Sequence, residues 1–465
     1  MAASDKGIAG PHIVRFGIAA EKDFLLEPFD KTYDQLIINA STVAHMPGAL
    51  ALFVAHRAKK PYLIDPQTHS FQHDISYLLS DSRTTSGELK RPYKVLAKKY
   101  GDPVKSNVAD NHSPVLPESF KDQKTRRSFC SRVIRYQRQA LGDEVKKSDS
   151  AKYYAYLEQK TGTTPREFGP SMVVAPYFYM KSNTLDEWLD INVGCAADSR
   201  TLVSRGPLGV QIVMSKDILC SEGQRERVVK EYKKALKRPP ESFLLWIDDL
   251  PEDEASKDEL VALRKLFRAL GQVAPVVNLY GGSLSVSLMQ TEQSLKMAGV
   301  AHGLEYGEHR GVLPVSGGPP ISKFYLPALH SRIPAADAIR AIRALGGQKS
   351  VAEFRENICD CSECKNVIEE DVETSFRRGY GSTREVAYLV KGQPYVREIP
   401  LPETRRHCVR HYMWCKQKEY SIKVSRLSLA STFQETREKL KGALGPDKVA
   451  HLRVWAEVLS EDNAE

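Results

Sequence analysis

Short apolar segments rich in β-branched residues alternate along the chain with longer segments whose apolar positions recur at helical spacing. Eight short segments predict strands: 36-LIINA-40, 61-PYLID-65, 172-MVVAPYFY-179, 208-LGVQIVM-214, 243-FLLWID-248, 275-PVVNLY-280, 302-HGLEY-306 and 322-SKFYL-326. Helices are predicted between them at 47–59, 224–238, 256–271, 284–299 and 334–346. The alternation predicts an α/β fold, a (β/α)8 TIM barrel, although a doubly wound open sheet would produce a similar pattern.

Two stretches do not fit a plain barrel. Residues 75–170 follow the second predicted strand and are too long for a loop, so they predict an inserted helical, basic subdomain at the functional face. Residues 351–465 follow the eighth unit and predict a C-terminal appendage. The expected domains are the start of the barrel at 1–74, the insertion at 75–170, the remainder of the barrel at 171–350 and the appendage at 351–465.

The formal net charge is +9, and positive charge is concentrated in 121-KDQKTRRSFCSRVIRYQRQ-139. Arg132, Arg135 and Arg138 are spaced three apart, so they line one side of a predicted helix. Such a stripe attracts phosphate groups, whereas the simpler interpretation is a solvated helix face. Aromatic residues among the arginines favour the nucleic-acid interpretation.

Cysteine positions and apolar run lengths bear on the location of the protein. Five of the eight cysteines fall in the last quarter of the chain, which indicates metal binding in a reducing compartment. No apolar run approaches the ~20 residues that a membrane span needs, and the N-terminus lacks the features of a signal peptide. We therefore expect a cytoplasmic protein.

Three of the clustered cysteines form a C-x-C-x-x-C motif at Cys359, Cys361 and Cys364. Zinc binds four thiolate or imidazole ligands, so the motif requires one more ligand from elsewhere in the chain. The segment 404-TRRHCVRHYMWCKQKEY-420 predicts a long helix that offers two histidines and two cysteines. His411 is the preferred fourth ligand and His407 the second choice. We predict a closed, structural Zn2+ site that holds the appendage on the barrel.

Polar residues gather where predicted strands end, in 65-DPQTHSFQHD-74, 248-DDLPEDE-254, 281-GGSLS-285 and 303-GLEYGEHRGVLP-314. Any one of these segments is ordinary turn or helix-cap chemistry. In a barrel the carboxyl ends of the strands meet at one mouth, where gathered carboxylates do acid–base or nucleophilic work. Asp248 is the first choice because it ends a buried strand, and Asp249 and Glu308 are its rivals.

Taken in order, these motifs resemble the tRNA-guanine transglycosylase superfamily over roughly residues 30–440. The zinc module of that family has the same cysteine pattern and a later helical histidine, here His411. The segment 61-PYLIDPQTHSFQ-72 falls where the family has D-S-G-G-F-Q. The segment 299-GVAHGLEYGEHRGVLP-314 falls where the family has G-V-D-M-F-D-C-V-L-P.

The chain departs from the family at three places. The double glycine of the first motif is absent, and no aspartate aligns with the family's nucleophile near Leu304 and Glu305. The spacing between Cys364 and His411, 46 residues, is longer than in the tRNA enzymes. These departures resemble the DpdA-like branch, whose members exchange guanine in DNA for a 7-deazaguanine such as preQ0.

The resemblance implies base exchange. One carboxylate attacks C1′ of a flipped deoxyguanosine and expels guanine, and the incoming 7-deazaguanine resolves the covalent intermediate while a second carboxylate handles protons. Asp65 takes one role from its motif position, and Asp248, Asp249 or Glu308 takes the other. Base recognition is assigned to His69, Gln72, Gly281, Gly282 and Tyr306, the glycines because they allow close approach of the backbone to a ligand.

The expected partners are DNA, a 7-deazaguanine base and accessory DNA-modification proteins. Two alternatives stay open at this point. In one, the polymer is tRNA, because the barrel and the zinc site would look the same. In the other, the chain is a catalytically inactive transglycosylase-like subunit that only binds nucleic acid or a partner, because the nucleophile does not align.

Overall fold

The structure is a computed structural model that describes residues 10–17, 19–80, 87–147, 156, 168–305, 307–313, 322–390 and 393–461. Its main sheet is parallel and curls into a nearly closed barrel. The sheet comprises β1 (His12–Phe16), β2 (Gln35–Asn39), β3 (Tyr62–Asp65), β4 (Val173–Val174), β5 (Tyr179–Met180), β6 (Leu208–Ser215), β7 (Ser242–Asp248), β8 (Val276–Asn278) and β9 (Met297–Gly303). The order around the eight-stranded ring is β3-β2-β1-β9-β8-β7-β6-β4, and β5 pairs with the end of β6.

The ring closes between β3 and β4, where the described residues form a single parallel bridge, from Leu63 to Met172. The side chain of Gln137 covers the free edge of β4. Its Oε1 accepts a hydrogen bond from the Val174 amide at 2.7 Å, and its Nε2 donates to the Val174 carbonyl at 2.8 Å. A side chain thereby satisfies backbone groups that a neighbouring strand would otherwise bind.

The barrel strands are buried on both faces, as is usual for parallel strands covered by helices. All eight residues of β6 are buried. The inward-facing side chains fill the lumen as an apolar cluster of their own, which includes Ile13, Ile37, Leu63, Met172, Val174, Val213, Leu244, Trp246, Val277 and Ala301. The lumen is a packed core, so functional groups are confined to its ends.

Before residue 350, the described residues form ten α-helices: α1 (Ala40–His45), α2 (Pro47–Leu52), α3 (Arg91–Tyr100), α4 (Gln123–Lys147), α5 (Leu185–Val203), α6 (Lys216–Cys220), α7 (Glu222–Ala235), α8 (Lys257–Gly271), α9 (Ser283–Thr291) and α10 (Ala335–Ala344). Short 3-10 or π-helical segments lie at Ala19–Phe24, Phe29–Lys31, Phe53–Ala58, Thr68–Gln72, Ile75–Leu78, Lys105–Asp110, Pro117–Phe120, Ser182–Thr184, Gln293–Leu295, Pro327–Leu329 and Asp447–Val449. Ser256 caps α8 through a capping box with Glu259, which explains where that helix begins.

The C-terminal part adds α11 (Val351–Asn357), α12 (Ser362–Val367), α13 (Val372–Tyr380), α14 (Pro402–Ser421), α15 (Arg426–Leu444) and α16 (Ala450–Ser460). Two antiparallel hairpins lie outside the barrel, β10 (Phe324–Leu326) with β11 (Ser331–Ile333) and β12 (Thr383–Val390) with β13 (Gln393–Pro400). Helix α14 packs on β10, α12, α13 and α9, and α16 packs on α8, so this part is joined to the barrel at several places. Within the described ranges, no helix combines the length and apolar character that a membrane span requires.

The predicted number of barrel strands is right, but their identity differs in part. Strand β1 is not revealed by the apolar pattern, because His12 and Arg15 interrupt a strand of five residues. The predicted eighth strand, 322–326, lies outside the barrel as β10. Strand β9 begins at Met297, so the strand predicted at 302–306 is displaced and the helix predicted at 284–299 ends at Thr291. The stretch 75–170 therefore follows the third barrel strand, not the second.

Candidate active site and metal centre

The C-x-C-x-x-C motif forms a tight turn at the start of α12. Cys361 is the N-cap of this helix, and its Sγ accepts a hydrogen bond from the Cys364 amide at 3.3 Å. The Sγ of Cys359 accepts from the Cys361 amide at 3.5 Å. Backbone N–H groups therefore point at the sulfur atoms and favour their thiolate form.

His411 reaches the same turn from α14. Its Nε2 donates to the Tyr325 carbonyl at 2.7 Å, which leaves the lone pair of Nδ1 free to face the sulfur atoms. Nδ1 is 3.4 Å from Cys361 Sγ and 3.3 Å from Cys364 Sγ. The four side chains are buried, and their ligand atoms all lie within 4.8 Å of one another. The four predicted ligands therefore come together in a closed group that can hold a metal ion such as zinc.

The other candidates on α14 lie around this group. His407 is not part of it, because its Nδ1 lies 2.5 Å from Glu363 Oε1 and the ring is engaged with that carboxyl group. Cys415 lies one turn after His411, and its Sγ is 3.8 Å from Cys359 Sγ. A fifth sulfur atom therefore borders the predicted ligand set.

Asp65, at the end of β3, lies in a closed polar cluster in the mouth of the barrel. Its Oδ2 forms an ion pair with Arg15 at 3.0 Å, and its Oδ1 accepts from the Tyr177 hydroxyl at 2.5 Å and the Gln67 amide at 3.0 Å. Burial raises the pKa of the Asp65 carboxyl, but Arg15, His69 and Tyr177 together lower it by more, so the net shift of the pKa is downward. With 1 % of its side chain exposed, Asp65 has both oxygens engaged.

His69 and Gln72, predicted to recognise a base, border this cluster. His69 stacks on Tyr177 with ring centres 5.3 Å apart, and burial lowers the pKa of its imidazole to about 3. The Gln72 amide accepts from the Tyr179 amide at 2.5 Å and donates to the Tyr179 carbonyl at 2.8 Å. Gln72 therefore ties its own segment to β5. The fifth predicted residue, Tyr306, lies outside the described residues.

Asp248 is the last residue of β7 and Asp249 follows it, and their side chains point in different directions. The two oxygens of Asp248 accept from the Tyr179 hydroxyl and from the Val312 amide, each at 2.7 Å. Asp249 has a left-handed backbone with φ 56°, and its side chain is 86 % exposed. Its charged neighbour is Lys216, at 3.8 Å. The structure thus places Asp248 under the 307–313 segment and Asp249 on the outer surface.

A cavity of about 570 Å³ opens between the barrel mouth and the C-terminal helices. Its lining includes Glu252, Tyr280, Gly282, Glu305, Glu308, Tyr325, Arg332, Arg405, Cys408 and Trp455. Of the four predicted catalytic acids, Glu308 lines this cavity, and Asp65, Asp248 and Asp249 do not. The cavity is adjacent to the Asp65 cluster, because Tyr280 lines it while the Arg15 guanidinium lies 4.3 Å from the centre of the Tyr280 ring.

Glu252 and Glu308 lie side by side at Gly282. A Cβ on Gly282 would be 3.0 Å from Glu252 Oε2 and 3.1 Å from Glu308 Oε2, so a side chain at this position would displace a carboxylate. Glu252 accepts from the Ser285 amide at 3.0 Å and from the Ser285 hydroxyl at 2.5 Å. Burial raises the pKa of Glu252, Ser285 lowers it in part and the nearby Glu308 raises it again, so the net shift is upward.

Glu308 has one engaged oxygen and one that faces its neighbour. Oε1 accepts from the Tyr412 hydroxyl at 3.0 Å and forms an ion pair with Lys416 at 2.6 Å. Oε2 is the oxygen that faces Gly282 and Glu252. Glu252 was not singled out in the sequence, although it lies in the strand-end segment 248–254. The sequence feature that could have identified Glu252 is its position in that segment, together with Ser285 in the next strand-end segment, 281–285.

Gly281, the other predicted glycine, has a packing role. A Cβ there would approach Val300 Cγ1 to 2.6 Å and Asn278 Nδ2 to 2.7 Å, so only glycine fits between β8 and β9. Gly282 instead leaves room for the two carboxylates.

The predicted arginine stripe lies on α4, and Arg132, Arg135 and Arg138 are all exposed. Helix α4 packs between α2 and α5 on the outer wall of the barrel. Arg138 lies beside Gly206, just before β6 begins, which is the end of the barrel opposite the mouth. The stripe therefore runs along the outside of the barrel, from Arg132 beside Gly101 to Arg138 beside Gly206. Tyr136 of the same helix packs on Tyr100, whose hydroxyl donates to the Pro66 carbonyl next to Asp65, so α4 borders the Asp65 segment while its three arginines face solvent.

No protein-family model, no curated protein and no solved structure matches this chain.

Proposed function

We propose that this protein is a base-exchange transglycosylase that replaces guanine in DNA with a 7-deazaguanine such as preQ0. The observation that carries the proposal is the pair Glu252 and Glu308, two carboxyl groups that share one cavity at the barrel mouth. Glycosyl transfer with retained configuration uses two carboxyl groups about 5 Å apart, one as nucleophile and one as acid and base. The resemblance to the transglycosylase superfamily supplies the substrate class.

The two carboxyl groups suit different roles. Glu308 binds Lys416 through Oε1, so its Oε2, which faces Gly282 and Glu252, is the oxygen placed to attack. The upward pKa shift of Glu252 favours its protonated form. We therefore assign Glu308 as the nucleophile and Glu252 as the general acid and base.

In the first half-reaction, Glu308 Oε2 attacks C1′ of a flipped deoxyguanosine. The C1′–N9 bond breaks, its electron pair leaves with guanine, and a proton from Glu252 neutralises the departing base. In the second half-reaction, N9 of the 7-deazaguanine attacks C1′, the ester bond to Glu308 breaks and the N9 proton returns to Glu252. One base replaces another, with no change of oxidation state.

Asp65 has a supporting role in this proposal. The motif position that resembles the family suggests a catalytic acid, but both oxygens of Asp65 are engaged. Its ion pair fixes Arg15, and Arg15 lies against Tyr280 in the cavity wall. We propose that Asp65 and Arg15 hold this wall in place. The group of Cys359, Cys361, Cys364 and His411 is proposed to hold a structural Zn2+.

The polymer is proposed to be DNA because the departures from the tRNA motifs resemble the DNA branch. The exposed arginines of α4 offer a phosphate-binding surface on the outer wall of the barrel. Accessory DNA-modification proteins are part of the proposal, since a target sequence has to be selected. A tRNA substrate and an inactive nucleic-acid-binding subunit are the two competing outcomes.

The test is mass spectrometry of nucleosides from DNA and from tRNA of cells with and without this protein, and with the variants E308Q and D249N. We expect a 7-deazaguanine nucleoside in DNA that requires the parent chain, is lost with E308Q and is retained with D249N. Asp249 is the matched control, because it is a strand-end acid that points into solvent. A modified nucleoside in tRNA alone would replace DNA by tRNA, and none in either polymer would favour the inactive subunit.

A further inference from the structure

Helix α14 connects the predicted metal ligand His411 to the candidate nucleophile. Lys416 lies on this helix with 1 % of its side chain exposed. Its Nζ contacts Glu308 Oε1 at 2.6 Å, Glu419 Oε2 at 2.9 Å and the Ser283 hydroxyl at 2.8 Å. A lysine buried this deeply requires anionic partners, and it has two.

Glu419, the second partner, is itself fixed. Its Oε1 lies 2.8 Å from His330 Nδ1 and accepts a hydrogen bond from the Tyr325 hydroxyl. When Glu308 forms an ester bond, it loses its negative charge. Lys416 would then still be neutralised by Glu419, so formation of the covalent intermediate does not leave this lysine unpaired.

Tyr412, on the same helix, is oriented by two buried histidines. His302 Nδ1 is 3.0 Å from the Gly303 carbonyl, which can only accept, so this nitrogen carries the proton. The same nitrogen is 3.0 Å from the Tyr412 oxygen, whose own proton is thus free for Glu308. His302 Nε2 accepts from His12 Nε2 at 2.8 Å. The hydrogen bonds from His12 to His302, from His302 to Tyr412 and from Tyr412 to Glu308 therefore all run in one direction, toward the carboxylate.

We propose that Lys416 and Tyr412 are positioning residues that hold Glu308 with its Oε2 toward the reacting carbon, and that the metal-anchored helix α14 is therefore part of the active site. This inference rests on the proposed function. It gives the metal group a second consequence beyond joining the C-terminal part to the barrel, because His411 is adjacent to Tyr412 and a little over one turn from Lys416.

The first measurement does not depend on turnover. Intact parent, K416M and Y412F proteins are treated with a water-soluble carbodiimide and an amine, and the labelled fraction of Glu308 is determined by peptide mass spectrometry. A carboxylate held in an ion pair reacts slowly, so we expect several-fold more labelling of Glu308 in both variants and in parent protein stripped of metal. Glu254, an exposed acid at the cavity rim, is the internal control and should label equally throughout.

The second measurement is trapping of the covalent DNA–protein intermediate. We expect Y412F, which keeps the ring and removes only the hydroxyl, to form it at least about tenfold more slowly, and K416M about a hundredfold more slowly, with the Kd for DNA unchanged. Glu308 labelling that is the same in parent, Y412F and metal-free protein would overturn the inference. If labelling changes as expected but the parent forms no intermediate, the positioning contacts stand and the proposed transglycosylase function fails.

Discussion

Two carboxylates at the barrel mouth, Asp65 and Glu308, each form a group with their neighbouring side chains, and the two groups differ in how many carboxylate oxygens are engaged. Asp65 is closed in, with Arg15, Tyr177 and the Gln67 amide occupying both of its oxygens. Glu308 has 21 % of its side chain exposed, and its second oxygen faces Glu252 in a cavity. A strand-end position is therefore a poor guide to reactivity, since what distinguishes these two acids is whether an oxygen remains available.

The largest effect that separates the two groups should come from metal removal. Structural zinc sites contribute on the order of 10 kcal/mol to the folding of small domains, and α14 holds Glu308 but does not contact Asp65. We expect about one zinc per chain in protein purified without chelator, and loss of that zinc in C361S. Hydrogen exchange at 402–421 should rise in C361S, while exchange at 62–68 stays unchanged. An equal rise in both segments would show that the two groups are not independent.

A pair of amide variants should produce opposite results at the two acids. D65N leaves the buried Arg15 without its anion, which typically costs about 3–5 kcal/mol of unfolding free energy. E308Q should slow base exchange by more than roughly a thousandfold. It should change the free energy of unfolding little, because Glu308 is partly exposed and Lys416 keeps its ion pair with Glu419. Urea unfolding and single-turnover exchange measure the two effects. A D65N protein of parent stability that has lost exchange would return the catalytic role to Asp65.

Acid pH should affect both groups through their buried histidines. Burial lowers the pKa of His69 and of His302 to about 3, and that of His73 to about 4. An unfolded histidine titrates near pH ~6.5, so at lower pH the unfolded chain binds more protons. The contribution of these neutral histidines to the free energy of unfolding is fully present above pH ~6.5. As the pH falls below that value, it decreases by about 1.4 kcal/mol per pH unit for each such histidine.

Urea unfolding at several pH values between ~4.5 and ~7.5 measures this loss. H69Q should reduce the slope by the share of one histidine. Stability that stays flat over this range would mean that these rings gain protons in the folded protein.

The smallest effect should come from the arginine stripe, because its three side chains belong neither to the Asp65 group nor to the Glu308 group. Replacing Arg132, Arg135 and Arg138 together with Ala should flatten the salt dependence of DNA binding by up to about three units, at roughly 0.9 per phosphate contact. Binding should weaken similarly for all sequences, and folding and zinc content should not change. An unchanged salt slope would exclude α4 as a phosphate-binding surface, and a preference for folded tRNA at matched salt would exclude duplex DNA.

Local patterns predicted much of the fold, and the errors have physical causes. Apolar runs identified six of the eight barrel strands, but β1 was hidden by the polar residues that it contributes to the site, His12 and Arg15. The segment of β10 is apolar for another reason, since Phe324 stacks on His411. The hairpin β10–β11 was therefore mistaken for a barrel strand.

The candidate site could be predicted only where the spacing of its residues in the sequence is characteristic of a ligand. The cysteine spacing and His411 indicated the metal group, because a structural zinc site needs four thiolate or imidazole ligands and the C-x-C-x-x-C motif supplies three of them. The position of Glu252 beside Glu308 could not be predicted, because Gly282 and Glu308, which lie next to it in the structure, are distant in sequence. The ion pair of Asp65 with Arg15 could not be anticipated either, since the strand that carries Arg15 was not recognised.

The contact between Gln137 and Val174 has a consequence for how the seam of the ring is held closed. Strand β4 lies at this seam and is fully buried, so its backbone groups need partners within the protein. The Gln137 amide occupies both hydrogen-bonding groups of Val174, so a glutamine on a helix does the work of a missing strand. Replacing Gln137 with an apolar residue would leave the amide and the carbonyl of Val174 buried without partners, at a cost of about 1–3 kcal/mol for each group.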